Sequence, residues 1–258
     1  MPIVTLTTDF GFHDGYVGAM KGVVLSLAPS ATVVDVTHGV PPQDVVAGAV
    51  ALAQAAPLFP AGTIHVAVVD PGVGGARADV LVQAGGSVFI GPDNGVLSLA
   101  AHGPRRIFRI DAPAFRREPV SPTFHGRDVF APTAGRLAAG AEPTEVGPEL
   151  ESILDLAQPP VERRAGLLEG VVMHVDGFGN LITSLLAEHV TAGASVEIDG
   201  ISATFHPVLA QTFSDVASGA LVAYVGSGGQ LEIGRRDGSA AAYIGAERGA
   251  KVRVGAGA

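Results

Sequence analysis

Up to about residue 160 the chain changes hydrophobic period again and again, strand-like segments taking turns with helix-like ones, and this limits the fold more than any other feature. Ile3–Thr8 reads as a buried strand that stops at Asp9-Phe10-Gly11. Val17, Met20, Val24 and Leu27 then share one face of a helix, with Asp14 placed to cap it. Thr32–Thr37 is a second strand. Pro41-Pro42 opens a second helix, where proline's missing N–H costs nothing. Thr63–Val69 is a third strand, closed by Asp70-Pro71-Gly72. Val80–Gln83 and Ser87–Ile90, joined around Gly85-Gly86, read as a hairpin or closely spaced strands, and Arg106–Ile110 adds another. Asp128–Ala139 is helical, with Pro132 tolerable only near the first turn. The alternation predicts an α/β N-terminal domain over residues 1–160, built on a mostly parallel sheet.

Beyond Pro159-Pro160 and Val161-Glu162-Arg163-Arg164 the helical period disappears. Val171–Val175, Ser195–Ile198, Ala203–Phe205, Ala220–Val225, Gln230–Ile233, Ala241–Ile244 and Lys251–Val254 are short strand-like runs between glycine-rich turns. They predict a smaller all-β, barrel-like C-terminal domain over residues 166–258. The absence of cysteine removes disulfides, thiolate metal sites and thiol nucleophiles together. With 25 acidic against 16 basic residues, the chain is not built to neutralise phosphates, so no nucleic-acid partner is expected. The longest unbroken apolar stretch, Val45–Ala53, falls well short of the roughly twenty residues that span a bilayer, so no membrane partner is expected. Met1–Ile3 runs straight into the first strand without the regions of a signal peptide, and the expected location is cytoplasmic.

Polar residues gather where strands end, which in an open α/β sheet is where ligands bind. Asp9, at the end of the first strand, can accept hydrogen bonds from a ribose diol or simply cap the turn. Asp14 can likewise serve a ligand or the helix. Asp-Phe-Gly is no kinase motif here, because the catalytic loop and strand lysine are missing. Asp70-Pro71-Gly72-Val73-Gly74-Gly75-Ala76-Arg77 is neither a Walker loop nor a dinucleotide fingerprint. Its glycines do allow Asp70 and Arg77 to converge, as catalytic groups or as an ion pair that holds the loop. Next to the guanidinium, Asp70 would stay ionised. Phe124-His125-Gly126-Arg127-Asp128 stands at a helix entry, where Asp128 is a candidate N-cap and His125 a candidate catalytic or capping residue. His38, Asp70, His125 and Asp128 lack the spacing of a metal site, and none is expected. In the second domain, Asp176-Gly177-Phe178-Gly179-Asn180 suits a tight turn, and an Asn beside a Phe also suits a purine edge. Phe213 and Ser227 lie in further polar loops.

Taken together and in order, these segments resemble the S-adenosyl-L-methionine (SAM) hydrolases, also called SAM hydroxide adenosyltransferases, relatives of the fluorinase and chlorinase. The likeness runs from Thr5–Gly11 and Tyr16–Gly22 through Val68–Gly74, Gly91–Leu97, Phe124–Phe130 and Asp176–Thr183 to Ser227–Gly234. It implies an α/β domain followed by a β-barrel-like one, and a homotrimer with each site between neighbouring subunits. It implies that Asp70, Arg77 and His125 are catalytic. Asp9 would hold the ribose, Asn180 the adenine edge, Phe124 and Phe213 would pack against substrate, and Asp14 and Ser227 would meet the methionine end. The implied substrates are SAM and water, with no metal or redox cofactor. The fluorinase carries a serine at the position of Gly126 and an insertion after the first loop, for which Ala78-Asp79-Val80 leaves no room, and the halogenases carry an Arg at the position of Gly228. The fluorinase has a Trp at the position of Gln43. A carboxylate at the reacting centre repels a halide, so Asp70 points to water as the nucleophile, while Gly228 and Gln43 bear on the methionine end of the site. The competing readings are a SAM-dependent halogenase and a SAM- or adenosine-binding sensor without turnover.

Overall fold

The computed structural model describes residues 1–157, 159–164 and 166–255, so residues 256–258 of the expected C-terminal domain lie outside the described residues. The chain divides into two compact units between Leu156 and Ala157.

The first unit is a seven-stranded sheet with helices on both faces. In chain order its main elements are β1 (Ile3–Thr8), α1 (Tyr16–Leu27), β2 (Thr32–Thr37), α2 (Val45–Ala55), β3 (Ile64–Val68), β4 (Asp79–Ala84), β5 (Ser87–Pro92), β6 (Arg105–Arg109), α3 (Ala131–Ala138) and β7 (Glu149–Leu150). Period-two alternation along β3 explains the layering. Ile64, Val66 and Val68 pack with Met20 of α1 and Ala134 of α3, while Ala67, with Val69 just beyond the strand, packs with Ala47 and Leu52 of α2. The strands lie in the order β2-β1-β3-β5-β4-β6-β7.

The expectation of a mostly parallel sheet is corrected. β2, β1, β3 and β5 run parallel, but β4 is antiparallel to β5 and β6, and β6 to β7. The β4–β5 hairpin, joined at Gly85-Gly86, has the returning strand β5 beside β3, which places β4 outside it. An antiparallel pair needs only this tight turn and no crossover helix. Two helix starts also differ from expectation. Asp44, not Pro41-Pro42, caps α2 through its carboxylate and the Ala47 N–H (2.9 Å), and α1 follows Gly15 without any side-chain cap, so Asp14 does not cap it.

The second unit contains β8 (Glu162–Arg164), β9 (Leu167–Val175), β10 (Leu181–Leu186), β11 (Val196–Asp199), β12 (Thr204–Phe205), β13 (Val208–Leu209), β14 (Leu221–Val225), β15 (Gln230–Arg235), α4 (Ala240–Ile244) and β16 (Lys251–Val254). Its nine strands form one curled sheet. No pairing joins the terminal strands β12 and β13 among the described residues, so it is a half-barrel and not a closed barrel. Ala241–Ile244, read as a strand, is helical, because the Ser239 hydroxyl accepts the Ala242 N–H (3.1 Å) and Gly245 ends the turn at φ +68°. Among the described residues no helix is long and apolar enough to cross a membrane.

Candidate active site

Because β1, β3 and β5 run parallel while β4 runs against them, the carboxyl ends of β1 and β3 and the first residue of β4 meet at one end of the sheet. Thr8 is in register with Val68, and Asp79 with Pro92 at the end of β5. A cleft of about 290 Å³ opens there, lined among others by Asp9, Gln43, Asp70, Phe124, His125 and Gly126.

Arg77 is the hub of the polar cluster. It grips Asp70 with a fork, Nε to Oδ1 at 3.1 Å and Nη2 to Oδ2 at 2.5 Å. Its Nη1 donates to Asp79 Oδ1, and its Nη2 lies 3.1 Å from His125 Nδ1. The side chains of Asp70, Asp79 and Arg77 are only 4%, 7% and 10% exposed, so these ions are held largely away from water. Burial works against the Arg77 charge, but the Asp70 hydrogen bonds and the Asp79 and Asp70 charges outweigh it and raise its pKa further. The predicted convergence of Asp70 and Arg77 is therefore present, and His125 joins it through Arg77. Asp79 is the member that the sequence reading missed. The signal was there: Arg77 and Asp79 are spaced i, i+2, which puts both on one side of an extended chain, and a carboxylate opens an otherwise apolar strand.

His125 is placed by an irregular turn. Pro132 has no N–H to offer the carbonyl of Asp128, so the helix entry widens into a π-type turn over Gly126–Phe130, with the Ala131 N–H bonded to Gly126 O. The Asp128 carbonyl is taken by Arg117 N–H instead (2.8 Å). The Asp128 side chain, 1% exposed, is not an N-cap; it accepts the Ser121 N–H (3.0 Å) and a fork from Arg127, pinning the segment that leads to His125. His38 lies away from the cluster, with Nδ1 on Thr8 Oγ1 (2.7 Å) and Nε2 facing Asp35 at 3.0 Å. Of the four metal-ligand candidates, only Asp70 and His125 come together, and Arg77 stands between them.

Asp9 lies in the cleft, where its Oδ2 accepts the N–H of Gln43, whose backbone is held left-handed at φ +66°. Phe10, Tyr16 and Phe124 form an edge-to-face trio beside it, with centroids 5.2–5.9 Å apart. A Cβ on Gly126 would stand 3.2 Å from Met20 Sδ and 3.3 Å from the Phe124 ring, so the position has little room even for a serine. Asp14 is exposed in the turn before α1 and is not among the residues lining this cleft.

The second unit has its own pocket, of about 900 Å³, lined among others by Asp176, Phe178, Asn180, Phe213 and Arg236. Asp176 builds it: its Oδ1 accepts the N–H groups of Phe178 and Asn180 (both 2.9 Å), and its Oδ2 accepts the Asn180 side-chain amide (2.9 Å). The amide is thereby turned so that Asn180 Oδ1 is left for a ligand donor. Phe213 packs on Tyr224 at 5.0 Å. Ser227 and Gly228 are exposed in the turn between β14 and β15, outside the residues lining this pocket. Gly234 permits the arrangement, because a Cβ there would meet the Phe213 ring at 2.5 Å and Asn180 Oδ1 at 2.9 Å. Gly234→Ala is therefore expected to displace both side chains, cost about 1–3 kcal/mol of stability and weaken ligand binding at least tenfold. Calorimetric titration with adenosine checks this, and unchanged affinity would count against the pocket as an adenine site.

Residues 4–147 match the SAM hydroxide adenosyltransferase N-terminal domain and residues 170–253 its C-terminal domain. The chain belongs to the SAM hydroxide adenosyltransferase family. Among family relatives, the (R)-S-adenosyl-L-methionine hydrolase of Thermus thermophilus is 43% identical over 97% of this chain and 98% of its own. That of Salinispora tropica is 41% identical over 99% and 98%. A fluorinase from an Actinoplanes species is more distant, at 30% identity over 91% of both chains. In structure, an uncharacterized conserved protein from Thermotoga maritima superposes with a TM-score of 0.91 at 31% identity, covering 99% of this chain and 100% of that one.

Proposed function

We propose that this protein hydrolyses SAM at C5′, giving adenosine and L-methionine. Water oxygen forms the new bond to C5′ as the C5′–S bond breaks, and the bonding pair goes to sulfur. Methionine leaves as a neutral thioether and needs no general acid, metal or redox partner. The protein has to hold a water in line with the C–S bond and take up its proton.

The observation that carries this reading is the buried Asp70–Arg77–His125 cluster on the cleft that Asp9 also lines. The Arg77 cation is engaged by two carboxylates and offers no free positive charge to a halide, while a water finds both donors and acceptors. A sensor without turnover would have no use for such a buried set of ions. Asp9, with Oδ1 left over from its bond to Gln43, would take the ribose diol, with Phe124 packed beside it. Asn180 and Phe213 would take the adenine, and Asp14 and Ser227 the methionine ammonium and carboxylate. With Gly228 following Ser227, the turn backbone would serve the carboxylate. The family likeness implies a homotrimer in which the reacting groups of one subunit meet the base-binding groups of a neighbour. The expected setting is the cytoplasm. The hydrolase relatives are named for the (R) sulfonium, and we read the same preference here. Attack at C5′ makes no bond to sulfur and releases it as an achiral thioether, so selection lies in how the methyl and methionine arms are seated.

Incubation with a mixture of (R)- and (S)-SAM in halide-free ¹⁸O-water tests the proposal. Adenosine and methionine in equal amounts, ¹⁸O in the 5′-hydroxyl and faster loss of the (R) epimer are expected. SAM recovered intact would favour the sensor, and 5′-halo-5′-deoxyadenosine on addition of chloride or fluoride would favour the halogenase.

A further inference from the structure

We infer that Asp79 is the positioning residue for His125: it fixes the proton on Nδ1 and so leaves Nε2 as the open lone pair. This deepens the hydrolysis reading and rests on it for the use made of that lone pair. The inference starts from one nitrogen with two neighbours of opposite character. His125 Nδ1 lies 3.0 Å from Asp79 Oδ1, which only accepts, and 3.1 Å from Arg77 Nη2, which only donates. Both contacts cannot be hydrogen bonds in one protonation state. With the proton on Nδ1, the ring donates a charge-assisted bond to Asp79. With the proton on Nε2, a bare Nδ1 lone pair would face a carboxylate oxygen that is largely shielded from water.

The remaining contacts decide between these states. Arg77 Nη2 carries two N–H groups, one already given to Asp70 at 2.5 Å, and the guanidinium keeps its ion pairs with Asp70 and Asp79 without His125 as an acceptor. Asp79 is the most firmly placed carboxylate of the cluster. Its backbone begins β4, its carbonyl accepts the Ile110 N–H (2.8 Å), and the preceding carbonyl of Ala78 accepts the Asp93 N–H (2.9 Å). Arg116 Nη2, 3.9 Å from Asp79 Oδ2, places a second cation beside this carboxylate. The charged groups around the ring are thus Asp79, Arg77, Asp70 beyond it and Arg116. Nε2 has no partner among the described residues, and His125 lines the cleft. A neutral histidine so held can take a proton from water at Nε2, with Asp79 stabilising the imidazolium that forms; the geometry resembles the orienting carboxylate of a catalytic triad.

The test is the histidine tautomer, read by ¹⁵N NMR of the full-length protein labelled at histidine, with the His125 signal assigned by its loss in His125→Gln. Wild type is expected to show Nδ1–H and a lone pair on Nε2. Asp79→Ala removes the acceptor and leaves Arg77 as the neighbour, so the ring should switch to Nε2–H, and kcat should fall at least a hundredfold with KM within about threefold. Asp79→Asn keeps an oxygen acceptor but loses the charge that stabilises the imidazolium, so it should retain Nδ1–H while kcat falls, though less than in Asp79→Ala. Nε2–H in the wild type, or an Asp79→Ala protein that keeps its tautomer and kcat or loses only KM, would overturn the inference. The wild-type tautomer is measured without substrate, so a protein with Nδ1–H and no SAM turnover would defeat the proposed reaction and leave the placement of His125 standing.

Discussion

Arg77→Ala is expected to cut adenosine formation by roughly 10²–10³-fold, the range seen when a preorganised donor is removed from a reacting centre, and to lower the melting temperature by about 10 °C. The two effects share one cause. Asp70 and Asp79, 4% and 7% exposed, both direct their charge at this guanidinium. Removing the cation leaves two shielded carboxylates facing each other, and breaking such a buried pair costs about 3–5 kcal/mol. Either the unit loses that stability or one carboxyl takes up a proton, and in both cases the Asp79 carboxylate that places His125 is disturbed. Arg77→Lys should rescue little, because a single ammonium cannot form the fork to Asp70 and reach Asp79 as well. Adding Asp79→Asn to Arg77→Ala should restore several degrees of melting temperature and none of the turnover, since it relieves the repulsion without rebuilding the cluster. Adenosine release and calorimetry on the same samples check this. Turnover above a tenth of wild type in Arg77→Ala, or a melting temperature within about 2 °C, would show that the cluster is neither a reacting centre nor a structural knot.

The parts of this site that could be read from the sequence were those set by short-range chemistry. Asp70 and Arg77 flank a glycine-rich loop, and such a loop brings its ends together whatever the sheet around it does. Asp9 follows a buried β-branched run, and the end of a strand locates it. Asp79 depended on the sheet. Under parallel pairing the start of β4 would lie at the opposite end from Asp70, and only the antiparallel hairpin β4–β5 brings it beside the carboxyl end of β3. Hydrophobic alternation has period two in either direction and carries no sign of which way a strand runs. The same limit explains α4: an alanine-rich run of this length fits strand or helix, and the deciding groups, Ser239 and Gly245, lie outside it. It also explains β10 (Leu181–Leu186), whose apolar run follows directly on the Asp176–Asn180 turn and was absorbed into it.

His65 provides the second large effect, on stability against pH. It sits in β3 between β1 and β5, 0% exposed, with Nδ1 on Thr5 Oγ1 at 2.8 Å, its ring stacked on Phe89 at 5.0 Å and Nε2 buried without a hydrogen-bond partner among the described residues. Burial pushes its pKa down from 6.5 to about 4, because removal from water disfavours the charged ring. The unfolded chain therefore binds this proton first. The stabilisation from keeping His65 neutral is fully present above pH 6.5, declines as pH falls through the window, and is gone below about pH 4, a loss of about 3 kcal/mol. His65→Gln removes the titration, so between pH 6.5 and 5 the wild type should lose about 2 kcal/mol more than the variant in urea unfolding. Parallel slopes for the two proteins would show that the ring is charged in the native state or reached by water. β3 carries His65 as its second residue and runs on to Asp70 just beyond its end. Charging the ring thus loosens the strand that leads to Asp70, and inactivation by acid in this window should follow the unfolding curve and disappear with it in His65→Gln.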